Sequence, residues 1–352
     1  MKNIKVSAPG KLHLLGEHAV VYNKPAILVA VDKRTFVEIE SAETGVKVTS
    51  VNYKKELILS VKEVLEKFKK AESDWNTYDK NNDISLLKSI TRDPLDYPFI
   101  VIGQFLDHHE INDLEGFELY INSDIPVGCG MGSSGALSVS IIGALTLFIN
   151  KKIDKKTVNE IAFLAEQKKH GKPSGGDNST SNYGGLVRFK KDEGVKPLPF
   201  GVSDEIRNNF YIINTGTPDE STGEMVSKVR NLFTENELFV QEIMDRQEEL
   251  VKDLYLALEK NIPKQITEII KMGEKNLEKI GVVSEYVKKI IRDIEESGGA
   301  AKICGAGGTT KATGIILIYH TDLQKLKEVL KSHQLDPSQL TLGVEGLREE
   351  KI

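Results

Sequence analysis

Apolar and polar positions alternate through most of the first 60 residues. Ile4 and Val6 are spaced as on one face of a strand, Ala26 to Val31 is an unbroken apolar run, and Val37 and Ile39 face away from Glu38 and Glu40. Val46, Val48 and the stretch Leu57 to Leu59 continue the pattern, so this half begins as sheet. Lys62 to Lys70 has the spacing of an exposed amphipathic helix. Glu72 to Asp83, where Asn, Asp and Lys crowd Trp75 and Tyr78, reads as a solvated loop, with a substrate lid as the alternative. Pro98 to His109 predicts a short buried helix, and Phe117, Leu119 and Ile121 alternate with polar neighbours as in a half-buried strand.

From Ser133 to Ile149 apolar residues cover nearly every side, which predicts a central helix buried on most faces. Asp154 is the expected N-cap of the next helix, with Thr157 and Glu160 as an alternative capping box, and that helix runs to about Lys169. Ser179 to Gly185 reads as a small-residue loop. The charged, Pro- and Gly-containing stretch Lys190 to Ser203 marks a domain boundary, giving an N-terminal domain over 1–198 and a C-terminal domain over 199–352. Beyond it come a short strand at Tyr211 to Ile213 and three long helical patterns between Glu224 and Glu296. Gly314 to Tyr319 (strand), Asp322 to Ser332 (helix) and Leu340 to Val344 (strand) make a split βαβ-like ending.

Composition narrows the function classes. The 352 residues correspond to about two domains at roughly 150 residues each. With 39% hydrophobic and 28% charged residues the chain has material for sizeable cores. Its net charge of −5 does not point to nucleic acid as the main partner. Cys129 and Cys304 are too few for a disulfide framework or a cysteine metal cage, and they fit a reducing compartment. The N-terminus lacks a secretory apolar core, and the stretch Leu137 to Ile149 falls short of the roughly 20 residues of a membrane span. The expectation is a cytoplasmic protein without membrane contact.

Four segments carry the chemistry. The first in importance is Asp124-Ile-Pro-Val-Gly-Cys-Gly-Met-Gly-Ser-Ser-Gly135, set between a strand and the buried helix. Alternating glycines before a helix N-terminus, with its unpaired N–H groups and positive dipole end, suit phosphate. Gly130, Gly132 and Gly135 also satisfy G-x-G-x-x-G with Asp154 following at dinucleotide-fold spacing, but Lys151 to Lys156 is charged and leads into a helix where that fold needs a strand. A P-loop is excluded because no lysine occurs between Asp124 and Asn150. The phosphate counter-charge must come from elsewhere, and Lys11, after Pro9-Gly10 in Ser7-Ala-Pro-Gly-Lys-Leu-His-Leu-Leu-Gly-Glu-His18, is a candidate.

Glu17 and His18 stand in an apolar stretch and need partners, protein or ligand. In Glu166-Gln-Lys-Lys-His-Gly-Lys-Pro-Ser-Gly-Gly-Asp-Asn178, a carboxylate at a helix C-terminus gains nothing from the dipole, so Glu166 is better explained by a nearby cation. Glycines around Asp177 let backbone crowd a ligand, the plain alternative being an Asx-turn. Lys302-Ile-Cys-Gly-Ala-Gly-Gly308 is a second glycine cluster. Both cysteines read as small buried residues rather than reactive ones.

Taken together, Pro9-Gly-Lys-x5-Glu-His18, Pro126-x-Gly-x-Gly-x-Gly-Ser-Ser134, His170-Gly-x-Pro-Ser-Gly-x-Asp-Asn178 and Gly305-x-Gly-Gly308, in that order, resemble the GHMP kinases, with the first and third most similar to the mevalonate kinase branch. The resemblance spans residues 5 to about 318. It implies an α+β, two-domain fold: an N-terminal half like ribosomal protein S5 domain 2, a ferredoxin-like C-terminal half, and the active site in the cleft between them. The implied reaction is ATP-dependent phosphorylation of the C5 hydroxyl of mevalonate to 5-phosphomevalonate in isoprenoid biosynthesis. Alternatives are another GHMP kinase acting on a different hydroxyl or a related alcohol, and a catalytically silent nucleotide or metabolite sensor.

By motif position, Pro126, Gly128, Gly130, Met131, Gly132, Ser133, Ser134, Gly305, Gly307 and Gly308 would bind ATP, and Ser134 and Glu166 would hold Mg²⁺. Asp177 would be the base, Lys11 would stabilise the alkoxide and γ-phosphate, and Glu17, His18 and Thr222 would lie on the acceptor side. A homodimer is compatible with the resemblance. Two departures stand out: Thr309-Thr310-Lys311 replaces further glycines, so that loop must take another path, with Lys311 a candidate to face the phosphates, and Gly135 stands where alanine is common, loosening the helix start.

Overall fold

The computed structural model describes residues 3–81, 83–126 and 128–351. Asn82, within the segment expected as loop, and Val127, within the first glycine loop, lie outside the described residues. The alternation near the N-terminus becomes strands β1 (Asn3–Leu15), β2 (Ala26–Ser41), β3 (Val46–Ser50) and β4 (Lys55–Leu59), joined by β5 (Phe117–Ser123), β6 (Leu186–Lys190) and β7 (Gly194–Pro197). A four-stranded sheet follows, made of β8 (Phe210–Asn214), β9 (Ala300–Ile303), β10 (Ile315–Tyr319) and β11 (Ser338–Gln339) in the order β11-β8-β10-β9, all antiparallel. The chain then returns as β12 (Arg348–Glu349) to the edge of the first sheet, whose order is β12-β1-β2-β5-β3-β4 with β6 and β7 added beside β2.

The helices of the first half are α1 (Val61–Asn81), α2 (Ile84–Ile90), α3 (Asp96–His108), α4 (Ser133–Phe148), α5 (Lys155–His170) and α6 (Gly176–Tyr183). The second half carries α7 (Asp204–Arg207), α8 (Thr222–Glu235), α9 (Glu237–Glu259), α10 (Pro263–Lys279), α11 (Glu285–Glu296) and α12 (Leu323–Ser332). α4 is buried along almost its whole length against β1 and β2, as its all-round apolarity predicts. Among the described residues no helix is long and apolar enough to cross a membrane.

Several elements differ from the sequence reading. The segment expected as loop over 72–83 is helical to Asn81, because Val64, Phe68, Ala71, Trp75 and Tyr78 form one stripe at three- and four-residue spacing that packs inward. Polar composition on the outer face concealed it. Ser179 to Gly185 is mostly the helix α6, begun by Gly175 in a left-handed conformation and packed tightly on α4. Asp154 alone caps α5, accepting from the N–H groups of Lys156 and Thr157. Four helices rather than three span 222–296, because Asn236 ends α8 and caps α9.

Leu340 to Val344 forms no strand. Its Leu342 makes a single bridge to Val31, while Thr341 O accepts from Asp32 and Gly343 donates to Ala30 O. These carbonyls and N–H groups are satisfied by the first sheet as the chain crosses back to it, so a buried alternating stretch exists without a strand. The ending is therefore β10, α12 and the two-residue β11, which pairs antiparallel with β8.

Candidate active site

β1 and β2 pair along their length, with register shifts at Pro9/Gly10 and between His13 and Leu15. Between these irregularities Lys11 donates its backbone N–H to Met131 O at 2.9 Å, which locks the strand to the first glycine loop. The Lys11 side chain is buried, and its Nζ lies 3.1 Å from Asp177 Oδ1 and 3.2 Å from His13 Nδ1. Burial, reinforced by Lys11, holds the His13 imidazole well below its usual pKa. His13 is thus neutral and accepts at Nδ1 from the ammonium. Asp177, in the first turn of α6, keeps 38% of its side chain exposed and faces the cleft.

Gly132 caps α4 with φ +67°, and a Cβ there would sit 2.8 Å from Lys11 Cγ and 3.5 Å from Asp177 Oδ2. The phosphate-type loop therefore ends directly on the Lys11–Asp177 pair, with the free N–H groups of the α4 start beside it. Gly135 has a steric purpose: a Cβ would meet the backbone of Asp177 and Asn178 at 2.9 Å. What the sequence suggests as a loosened helix start is the place where α4 and α6 touch.

Ser134 lies in the same first turn of α4. Its hydroxyl donates to Glu166 Oε2 at 3.0 Å and is 2.9 Å from His170 Nε2, and the second Glu166 oxygen accepts from the Tyr97 hydroxyl. Burial, followed by the Glu166 charge, pushes the Tyr97 phenol well above its usual pKa. Among the described residues no group of three or more His, Cys, Asp or Glu side chains could cage a metal by itself. Ser134 and Glu166 instead offer two adjacent hard oxygen donors at the phosphate-type loop, a set that suits Mg²⁺ completing its shell with water and phosphate oxygens.

Glu17 is paired inside the protein, with Lys302, whose ammonium also donates to Ile303 O at 2.7 Å. Its partner is thus a residue of β9, from the second sheet. His18, held below its usual pKa mainly by burial, donates from Nε2 to Ala306 O at 3.0 Å and so seats the second glycine loop. Burial pushes the Cys304 thiol up to about 11 and also raises that of Cys129.

A cavity of about 410 Å³ joins Lys11, Glu17, His18, Gly128, Gly130, Met131, Gly132, Ser133, Ser134, Glu166, Asp177, Thr222 and Gly305. A second cavity of about 410 Å³ shares Gly128, Gly130 and Thr222 with it and adds Gly307. Pro126 and Gly308 line neither; Gly308 packs on Pro218 and Glu220 instead. Lys311 is exposed and lines neither, because Thr309 and Thr310 are tied to Glu220 and turn the chain away.

Sequence reasoning passed over four contributors. His13 is two residues from Lys11, the same-face spacing of a strand, and His170 is one helical turn after Glu166, so both carried a local signal. Tyr97 and Lys302 carried none, since their partners lie 69 and 285 residues away.

The GHMP kinases N terminal domain family matches residues 96–185. The mevalonate kinase of Pyrococcus horikoshii is 30% identical over 316 residues, covering 88% of this chain and 87% of that protein. That of Archaeoglobus fulgidus is 29% identical over 307 residues, covering 86% and 88%. The crystal structure of the Methanococcus jannaschii mevalonate kinase matches with a TM-score of 0.78 at 24% identity, covering 97% of this chain and 98% of that one.

Proposed function

Because this chain belongs to the GHMP kinase family and is a small-molecule kinase of the mevalonate kinase type, we propose that it transfers the γ-phosphoryl group of ATP to the C5 hydroxyl of mevalonate, giving 5-phosphomevalonate for isoprenoid synthesis. The observation that carries this reading is the Asp177–Lys11–His13 relay set against the first turn of α4. The family uses ATP. In this reading the glycines 128–132, Ser133 and Ser134 receive the triphosphate, with Gly305 and Gly307 closing the far side.

Phosphoryl transfer asks the protein mainly for positioning and charge neutralisation. Asp177 takes the proton of the attacking hydroxyl. Lys11, gripped by a neutral imidazole on one side and by Asp177 on the other, keeps its ammonium beside both the nascent alkoxide and the transferred group. Ser134 and Glu166 would hold Mg²⁺, which when bound neutralises charge on the phosphates. Glu17, His18 and Thr222 shape the acceptor side. The division into 1–198 and 199–352 and a cytoplasmic setting belong to the same proposal.

The test is incubation with Mg-ATP and a panel of mevalonate, phosphomevalonate, homoserine and galactose, with the phosphorylated position read by NMR. Phosphate on C5 of mevalonate is expected; transfer to another panel member reassigns the acceptor, and nucleotide binding without transfer to any of them rejects mevalonate as the substrate. Asp177→Asn should lower turnover by roughly 10²- to 10⁴-fold while nucleotide binding survives. Near-normal turnover in a coupled ADP-release assay would remove Asp177 from the role of base.

A further inference from the structure

The departure at Thr309-Thr310 has a counterpart elsewhere in the chain. Glu220 lies in the loop between β8 and α8, immediately before Ser221, the N-cap of α8. Its Oε1 accepts from the N–H of Thr309 at 3.0 Å, the N–H of Thr310 at 3.1 Å, the hydroxyl of Thr310 at 3.0 Å and the hydroxyl of Thr309. One carboxylate oxygen thus gathers all four donors of two consecutive residues. Its Oε2 is buried with no hydrogen-bond partner, and a Cβ on Gly308 would come within 3.2 Å of it.

The two segments that meet here are both walls of the cleft. On one side, Ser221 caps α8 through a reciprocal bond with Glu224, and Thr222 opens the helix into both cavities. On the other, Gly305, Ala306 and Gly307 line those cavities, with Ala306 held to His18. A loop with two threonines after Gly308 cannot follow a glycine path as cheaply, and its hydroxyls and N–H groups need acceptors. Glu220 supplies one for all of them.

We propose that Glu220 is a positioning residue, a carboxylate staple that fixes the 305–310 loop to the start of α8 and so sets Thr222 and the acceptor wall of the cleft. This inference rests on reading the cleft as the acceptor site. It deepens that reading by assigning to Glu220, Thr309 and Thr310 the work that further glycines do in the resembling family. The hydrogen bonds from Thr309 first, then Thr310, hold the Glu220 carboxyl down at about 2, so the staple stays ionised across the physiological range.

The test uses the full chain with Glu220→Ala, Glu220→Gln, Thr309→Gly/Thr310→Gly and the combination of Glu220→Ala with both glycines. For the alcohol that the wild type phosphorylates, Glu220→Ala should raise the acceptor KM roughly ten- to a hundredfold through misplacement of the wall, with a smaller rise in the KM for ATP because Gly305 and Gly307 lie on the stapled loop, while kcat changes much less. Glu220→Gln, which keeps an acceptor oxygen, should recover part of the loss. The combined variant should be no worse than the double glycine variant.

Amide exchange at Thr309 and Thr310 gives a readout that needs no turnover: Glu220→Ala should abolish their protection. An unchanged acceptor KM with only a lower Tm, additive losses in the combined variant, or intact protection in Glu220→Ala would each overturn the proposal. If Glu220→Ala fails to fold, Glu220→Gln and the double glycine variant decide by the same readouts. If the wild type phosphorylates no alcohol, the kinase reading fails, while amide exchange still judges the staple.

Discussion

At the scale of single residues, the molecule places ionisable groups where water cannot reach and then supplies them with partners. Glu274 on α10 is fully buried, accepts from the Ile303 N–H at 2.9 Å through Oε2, and has no partner for Oε1. Burial pushes its carboxyl up to about 8, against the opposing pull of Lys302, with Glu17 and Glu278 also facing it. The folded protein therefore keeps a proton there that the unfolded chain releases near its ordinary value of 4.5. Between these two values the unfolded state binds fewer protons, so stability falls as pH rises, by at most about 1.4 kcal/mol per pH unit from this group. Glu274→Gln mimics the protonated form and should gain stability relative to wild type as pH goes from 5 to 9, read by urea unfolding at each pH. Parallel curves for the two proteins would show that Glu274 does not titrate as argued.

At the scale of elements, the site depends on how closely helices approach. Asp177 sits in the first turn of α6, and α6 sits where it does because Gly135 on α4 presents no side chain. Gly135→Ala would force the two helices apart at a backbone contact, with an overpacking cost of about 1 to 3 kcal/mol. The expected signature is a lower Tm together with a fall in turnover, since the Lys11–Asp177 distance changes; a fall in Tm with turnover intact would detach α4–α6 packing from catalysis. The long helix α1 supports the same region from outside, with Trp75 Nε1 donating to Gly171 O at 3.0 Å, at the turn that leads to Asp177. That support was hidden in the sequence because a polar outer face outnumbers a narrow apolar stripe.

At the scale of the whole molecule, two sheets are tied together by buried charge. Lys302 on β9 of the second sheet reaches Glu17 just beyond β1 of the first, both fully enclosed. At the far edge, Arg34 donates to Ser7 O and to Glu345 O and Gly346 O, securing the returning C-terminal segment. Removing one member of a buried pair leaves the other uncompensated, so Glu17→Gln and Lys302→Met should each cost about 3 to 5 kcal/mol. The double variant should cost clearly less than the sum, as measured by denaturant unfolding of all three. Additive losses would mean that the two side chains are not coupled across the interface.

The glycine loops before α4 and after β9 were legible in the amino-acid sequence, because each depends on a backbone conformation that few residues allow, and the motif resemblance singled out Lys11, Ser134, Glu166 and Asp177, which the fold brings to one cavity. Also legible were β1, β2, β3 and β5 and the buried central helix, whose periodicity is imposed by burial on one face or on all. Partnership was not legible. That Glu17 answers to Lys302, Tyr97 to Glu166 and Glu220 to Thr309 and Thr310 was decided only when the chain folded, since these contacts join residues 285, 69 and 89 to 90 positions apart. A buried charge states in the sequence that it must be satisfied, but the residue that satisfies it is chosen by tertiary packing.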